Sequence, residues 1–140
     1  MEILELDSYS ATDVPALDAL MHQLSATSCC TEKKLEAVIS DSNSHLYIVR
    51  EDGNIIATAT LCVSHTPEFT IGGIEAVVVD AANRGRGIAN LLMLHILKEA
   101  KCFGCVKLHL TSNPQREAAN RLYQNLGFRR KETNCYTMEL

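Results

Sequence analysis

Apolar and polar residues alternate from Met1 to Asp7, which predicts a first strand. Asp7 to Asp13 is rich in turn formers. Thr12 or Asp13 can cap a helix there, and Pro15 suits its first turn. Leu17, Leu20, Met21 and Leu24 follow at helical spacing, and Leu35, Val38 and Ile39 do so after a second start at Thr31. His45–Glu51 and Asn54–Ser64 read as strands joined by Asp52-Gly53, a dipeptide that favours a tight hairpin. Phe69–Asp80 is a long strand pattern ending in Val77-Val78-Val79. Gly87–Lys101 has helical period, with Leu91, Leu94 and Leu97 supporting it and Gly104 as its stop. Cys105–Thr111 is a short β-rich run, broken by Ser112-Asn113-Pro114. Arg116–Asn125 is a last helix that stops at Gly127, and Phe128–Leu140 reads as a closing strand.

The expected order is β-α-α-β-β-β-α-β-α-β. The step from Val79 through a helix to Val106 is a crossover, so the strands it joins should be parallel. An α/β fold follows, with a mixed central sheet and helices on both faces. At 140 residues the chain is expected to form a single domain, 1–140, with no internal repeat or linker.

Composition narrows the function. There are 13 Lys+Arg against 17 Asp+Glu, a net charge of -4. Such a chain has no general attraction for nucleic acid or anionic membranes, so a bound anion needs a local site. Aromatic residues are only 5% and Trp is absent, which leaves no stacking platform for bases. No apolar run approaches the roughly 20 residues that span a bilayer. The acidic start Met1-Glu2-Ile3-Leu4-Glu5 is unlike a signal peptide, so a cytoplasmic location is expected. Six cysteines raise disulfide and metal readings. Cys102 and Cys105 form a C-x-x-C, but no second close pair completes a zinc set. Reduced, mostly structural thiols and no metal are expected.

The stretch that carries chemistry is Ile74–Asn90. A valine-rich strand enters a turn, and Gly85 and Gly87 precede a helix. Free backbone N–H groups and the helix dipole make such an end an anion site. Gly87 allows close approach of a phosphate, and Arg84 and Arg86 add charge. A nucleotide P-loop needs Lys-Ser/Thr after its last glycine, and none is present. A dinucleotide fingerprint needs a third glycine, and Asn90 stands there.

Arg84-Gly85-Arg86-Gly87-Ile88-Ala89 matches [Q/R]-x-x-G-x-[G/A], the coenzyme A pyrophosphate motif of the GCN5-related N-acetyltransferase (GNAT) family. Asn120-Arg121-Leu122-Tyr123-Gln124-Asn125-Leu126-Gly127-Phe128 resembles a second family segment, with Leu122 in place of its first aromatic. The chain thus resembles a small single-domain GNAT protein, most strongly from Ile74 to Phe128. The resemblance implies acetyl-CoA as cosubstrate and direct transfer to an amine in a ternary complex. It implies that the N–H groups of Arg84, Gly85, Arg86, Gly87, Ile88, Ala89 and Asn90 hold the pyrophosphate. The backbone of Val77, Val78 and Val79 would pair with the pantetheine arm and polarise the thioester carbonyl. Asn113 and Asn120 would add cofactor contacts. Tyr123 would serve as general acid to the leaving thiolate, and Glu75 as base, directly or through water. By strand alternation Glu75 is expected on the same face as Val77 and Val79.

Of the histidines, His65 lies in a loop where family members often meet substrate. His95 and His109 read as structural, and His22 and His45 carry no motif. Ser112-Asn113 is followed by Pro114-Gln115-Arg116-Glu117 before Ala118, longer than the S-N-x-x-A of family members that acetylate protein N-termini. This favours a small-molecule amine as acceptor. A protein or peptide amine, a non-catalytic acyl-CoA sensor and a nucleotide-binding module are the alternatives. Dimers are common in the family, so a homodimer is compatible with the resemblance.

Overall fold

The computed structural model describes residues 1–140, which form two compact units, Met1–Leu110 and Thr111–Leu140. The first unit contains β1 (Glu2–Glu5), α1 (Asp13–Leu24), α2 (Glu32–Ser40), β2 (Ser44–Glu51), β3 (Asn54–His65), β4 (Thr70–Val79), α3 (Ile88–Cys102) and β5 (Lys107–His109). One sheet runs in the order β1-β2-β3-β4-β5. Its first three junctions are antiparallel and the β4–β5 junction is parallel, as a crossover through α3 requires.

Local chemistry explains the boundaries. Asp52 and Gly53 sit at φ 49° and 80°, the left-handed pair whose twist suits a two-residue hairpin. Thr31 caps α2 by accepting from Lys34 N at 3.2 Å. Thr12 occupies the cap position of α1 without a side-chain cap bond. The buried Asp13 carboxylate fastens that end instead, accepting from Ser10 N at 3.0 Å and from the Arg50 guanidinium at 3.3 Å.

The sheet carries helices on both faces. Leu46 and Ile48 point to one side, where they join Leu17 and Leu20 of α1, Leu35 of α2 and Val78 of β4. Tyr47 points to the other side and meets His95 of α3 edge-on, with ring centroids 5.2 Å apart. Leu92, Met93 and Ile96 of α3 are fully buried.

Two features of β4 matter for function. Thr58 stands opposite Val78 and Thr60 opposite Glu75, so Ala76 and Val77 together face one partner position on β3. That is a β-bulge, and Ala76 takes φ 53° to make it. The extra residue reverses the alternation. Glu75 therefore shares the face of Thr60 and Val78, not that of Val79 as regular alternation predicts. The second feature is a short junction with β5. Pairing covers only Ile71–Gly73 against Lys107–His109. Gly72 permits it, because a Cβ there would collide with Leu108 and Leu61. From Ile74 onward β4 has no strand on that side.

The second unit contains α4 (Glu117–Asn125), which ends at Gly127 with φ 102°. Phe128 N donates to Tyr123 O at 3.0 Å, and the two rings lie 6.1 Å apart, edge to face. The closing strand expected over Phe128–Leu140 is not formed. Arg129-Arg130-Lys131-Glu132 interrupts any alternation with four charges. Tyr136, Met138 and Leu140 do alternate, yet they are exposed, and no neighbouring strand gives this segment a ladder. Alternation without a partner does not make a strand.

Candidate active site

The glycine turn leaves backbone N–H groups free at the start of a helix. After β4 a 3₁₀ turn, Ala81–Asn83, leads to Arg84, then Gly85 at φ 77° and Gly87 at φ 75°. Gly87 is the N-cap of α3 and offers no side-chain cap. Leu91 N is bonded to Gly87 O at 3.1 Å, so the N–H groups of Ile88, Ala89 and Asn90 precede the first intrahelical bond. With the helix dipole behind them, they suit a phosphate.

Side chains from elsewhere lock this turn. Asp80 accepts from Gln23 Nε2 at 2.8 Å and from Asn83 Nδ2 at 2.9 Å. Those bonds, the Gln23 contact foremost, hold its carboxyl below the usual range despite some burial. Gln23 also accepts from Ala81 N at 2.8 Å, which ties the end of α1 to the turn. Arg84 Nε donates to Val79 O at 3.1 Å, folding the side chain back over the strand end. Arg86 is engaged by both Glu51 oxygens, each at 2.8 Å, and by Asn83 Oδ1 at 2.8 Å. Its charge is therefore already partnered. Gln23 and Glu51 were not legible as parts of the site, and Asp80 lay within the chemistry-bearing stretch without an assigned role. Gln23 and Glu51 reach it from 57 and 35 residues away along the chain, and no local motif marks them.

Beside the turn, β4 leaves its neighbour at Gly73 and bulges at Ala76 before running to Val79. On the side away from β3 the backbone of Val77–Val79 has no strand partner, and Arg84 Nε already occupies the Val79 carbonyl there. A cavity of about 200 Å³ adjoins the bulge on the α1–α2 face, with Ala76, Thr58 and Thr60 in its sheet wall. Glu75 stands across from Thr60 and is exposed.

Asn113, Asn120 and Tyr123 lie in the second unit. Asn113 accepts from Gln115 N at 2.9 Å through Oδ1, and Asn120 Nδ2 donates to the Asn113 and Arg116 carbonyls at 3.0 and 2.9 Å. Both amides thus hold the entry to α4. Tyr123 is 6% exposed, and burial pushes its phenol above the ordinary value against the nearby charge of Arg116. It keeps its proton through neutral pH.

The histidines have local partners. His65 is bonded to Thr70 Oγ1 at 2.8 Å, and His45 contacts Glu5 at 2.7 Å while stacking on Phe103. All six cysteines are free, and no group of three or more His, Cys, Asp or Glu is placed to hold a metal. No helix is long and apolar enough to cross a membrane.

Comparison with known proteins agrees with this geometry. A rice protein (Oryza sativa subsp. japonica) named "Probable glucosamine 6-phosphate N-acetyltransferase 2" is 35% identical over 124 residues, covering 79% of this chain and 72% of that protein. A Trypanosoma brucei brucei protein named "Glucosamine 6-phosphate N-acetyltransferase" is 36% identical over 85 residues, covering 57% of this chain and 54% of that one. The crystal structure of glucosamine-6-phosphate N-acetyltransferase from Arabidopsis thaliana superposes with a TM-score of 0.81 at 22% identity, covering 98% and 97% of the two chains. That likeness establishes a shared fold. The model of the acetyltransferase (GNAT) family matches residues 12–128. With the split strand, the bulge and the glycine-capped helix in place, the chain belongs to the acetyltransferase (GNAT) family, whose enzymes catalyse acetyl transfer from acetyl-CoA.

Proposed function

We propose that this protein transfers the acetyl group of acetyl-CoA to a primary amine on a small molecule, by direct attack within a ternary complex. The observation that carries the reading is β4, which from Ile74 has no strand on its β5 side, bulges at Ala76 and leads to a helix end whose N–H groups are free. The pyrophosphate binds the N–H groups of Gly87–Asn90. The pantetheine arm lies along Val77–Val79, and a bulge N–H polarises the thioester carbonyl. The amine nitrogen attacks that carbonyl carbon and the C–S bond then breaks. Tyr123, protonated at neutral pH, gives its proton to the departing thiolate. Glu75, exposed on the face of Thr60, takes the proton lost by the amine, directly or through water. A small acceptor is supported by the names of the relatives, which specify glucosamine 6-phosphate.

The test is thermal unfolding with acetyl-CoA, coenzyme A, ATP and NAD in parallel, followed by a thiol-release assay with amines. A ligand at about 100 times its Kd adds about 2.7 kcal/mol, a shift of several degrees. Acetyl-CoA and coenzyme A alone should stabilise, and Tyr123→Phe should lower kcat by about 100-fold with acetyl-CoA affinity kept. Stabilisation by ATP or NAD instead would reject the coenzyme A assignment. Binding of acetyl-CoA without transfer to any amine would leave a sensor.

A further inference from the structure

The cavity against the bulge has a wall chemistry that selects its occupant. Its floor is Leu17, Leu35, Leu46 and Thr58, all buried, and Met21 and Val38 line its helical side. The Thr58 hydroxyl is taken up by Tyr47 O at 2.9 Å, and Cys30 Sγ points to Thr31 O at 3.7 Å. Thr58 can then only accept, and Thr60 is the other hydroxyl in the wall. The one charged lining residue, Lys34, is exposed at the rim, with its ammonium 3.2 Å from Cys29 Sγ.

A polyhydroxylated ligand would desolvate several hydroxyls here and find almost no partners, and each unpaired one weakens binding. An apolar group gains by leaving water and loses nothing. The volume sets a scale. A closed cavity of about 150 Å³ takes a benzene ring, and this half-open one of about 200 Å³ has room for one ring with a short arm, or a branched alkyl chain. Ala76 of the bulge closes the sheet side, and Glu75 lies across from Thr60. A body seated in the cavity can thus present its amine at the bulge.

We propose that this cavity holds the apolar body of the acceptor, so that the enzyme prefers primary amines carrying one aromatic ring or a branched alkyl chain over amino-sugar phosphates. The proposal rests on the transfer reading above and departs from the acceptor named for the relatives.

The intact chain is assayed with acetyl-CoA by thiol release, using 2-phenylethylamine, 3-methylbutylamine and glucosamine 6-phosphate. The expected kcat/KM for the two apolar amines is at least about tenfold above that for the sugar phosphate, a difference of about 1.4 kcal/mol. Val38→Phe fills the cavity from a half-buried helix position. It should raise KM for the apolar amines about fivefold or more, with kcat and acetyl-CoA affinity nearly unchanged. Should that variant unfold, Val38→Ala enlarges the space instead and should favour a two-ring amine over 2-phenylethylamine. Preference for glucosamine 6-phosphate, or KM values indifferent to Val38, overturns the proposal while leaving acetyl transfer intact. If acetyl-CoA binds but no amine reacts, methyl NMR of Met21, Leu35 and Val38 with 2-phenylethylamine decides. Shifts there keep the cavity assignment and reject transfer; unmoved signals reject the proposal.

Discussion

At the Gly85–Gly87 turn the free groups are backbone N–H groups, and two positive φ angles lead the chain into them. In the cavity under α1 and α2 the facing groups are side chains, drawn from Leu17 in α1 to Ala76 in β4. Both belong to the same unit, and Gln23 of α1 even clamps the turn through Ala81 and Asp80. A backbone-made site depends on which conformations a few residues allow. A side-chain-made site depends on the packing of distant elements. The first should fail through substitution of a glycine, the second through loss of core volume.

The largest effect expected from this contrast is on stability. Leu35 is 2% exposed and belongs to both the cavity floor and the core that joins the helices to β2. Leu35→Ala should cost about 2–5 kcal/mol in urea unfolding. Acetyl-CoA affinity, measured by calorimetry on the folded variant, should stay within about twofold, since additivity holds for sites without shared partners. If affinity falls in step with stability, the two regions are not independent.

Next in size is the backbone itself. A Cβ on Gly87 would meet nothing within 4 Å, so the obstacle to substitution is φ 75° and not space. A β-branched residue held in the left-handed region costs about 1–2 kcal/mol or relaxes away from it. Either result disturbs the N–H groups that begin α3. Gly87→Val should therefore weaken acetyl-CoA binding by about tenfold or more, with the KM of the acceptor amine little changed. A variant that binds acetyl-CoA normally would show that the turn does not hold the cofactor.

The same contrast decides what could be read from sequence. Asp52-Gly53 and Gly85-x-Gly87 are local, so the hairpin and the glycine turn were legible from the residues that make them. The helices and the mixed sheet followed from periodicity and from the crossover rule. The bulge was not legible, because Ala76 reaches φ 53° in a run of ordinary strand formers, with no glycine to mark it. That single residue moved Glu75 to the opposite face from the one alternation gives. The cavity was hidden for a different reason. It gathers residues from five elements, and no short-range pattern encodes which of their side chains meet. The closing segment failed in the opposite direction, since Tyr136, Met138 and Leu140 show a strand's pattern without a strand's partner.

The smallest effect tests whether side chains matter at the turn at all. Sequence places Arg86 on the phosphates, yet both Glu51 oxygens hold its guanidinium. The Arg86 hydrogen bonds are the main reason the Glu51 carboxyl sits below its ordinary value, against an opposing effect of burial. A depressed carboxyl contributes to folding above its unfolded pKa, and the contribution is lost as pH falls through the lowered folded value. At neutral pH the pair is therefore intact and Arg86 is occupied. Arg86→Ala should weaken acetyl-CoA binding by less than about threefold at pH 7, in the range of exposed ion pairs. Glu51→Gln frees the guanidinium, so it should tighten binding by about two- to threefold at low salt and less at high salt. The double variant should lose that gain, which a double-mutant cycle measures directly. A tenfold loss in Arg86→Ala would mean that the Glu51 pair opens when cofactor arrives. The turn would then rely on a side chain as well as its backbone, and the contrast with the cavity would narrow accordingly.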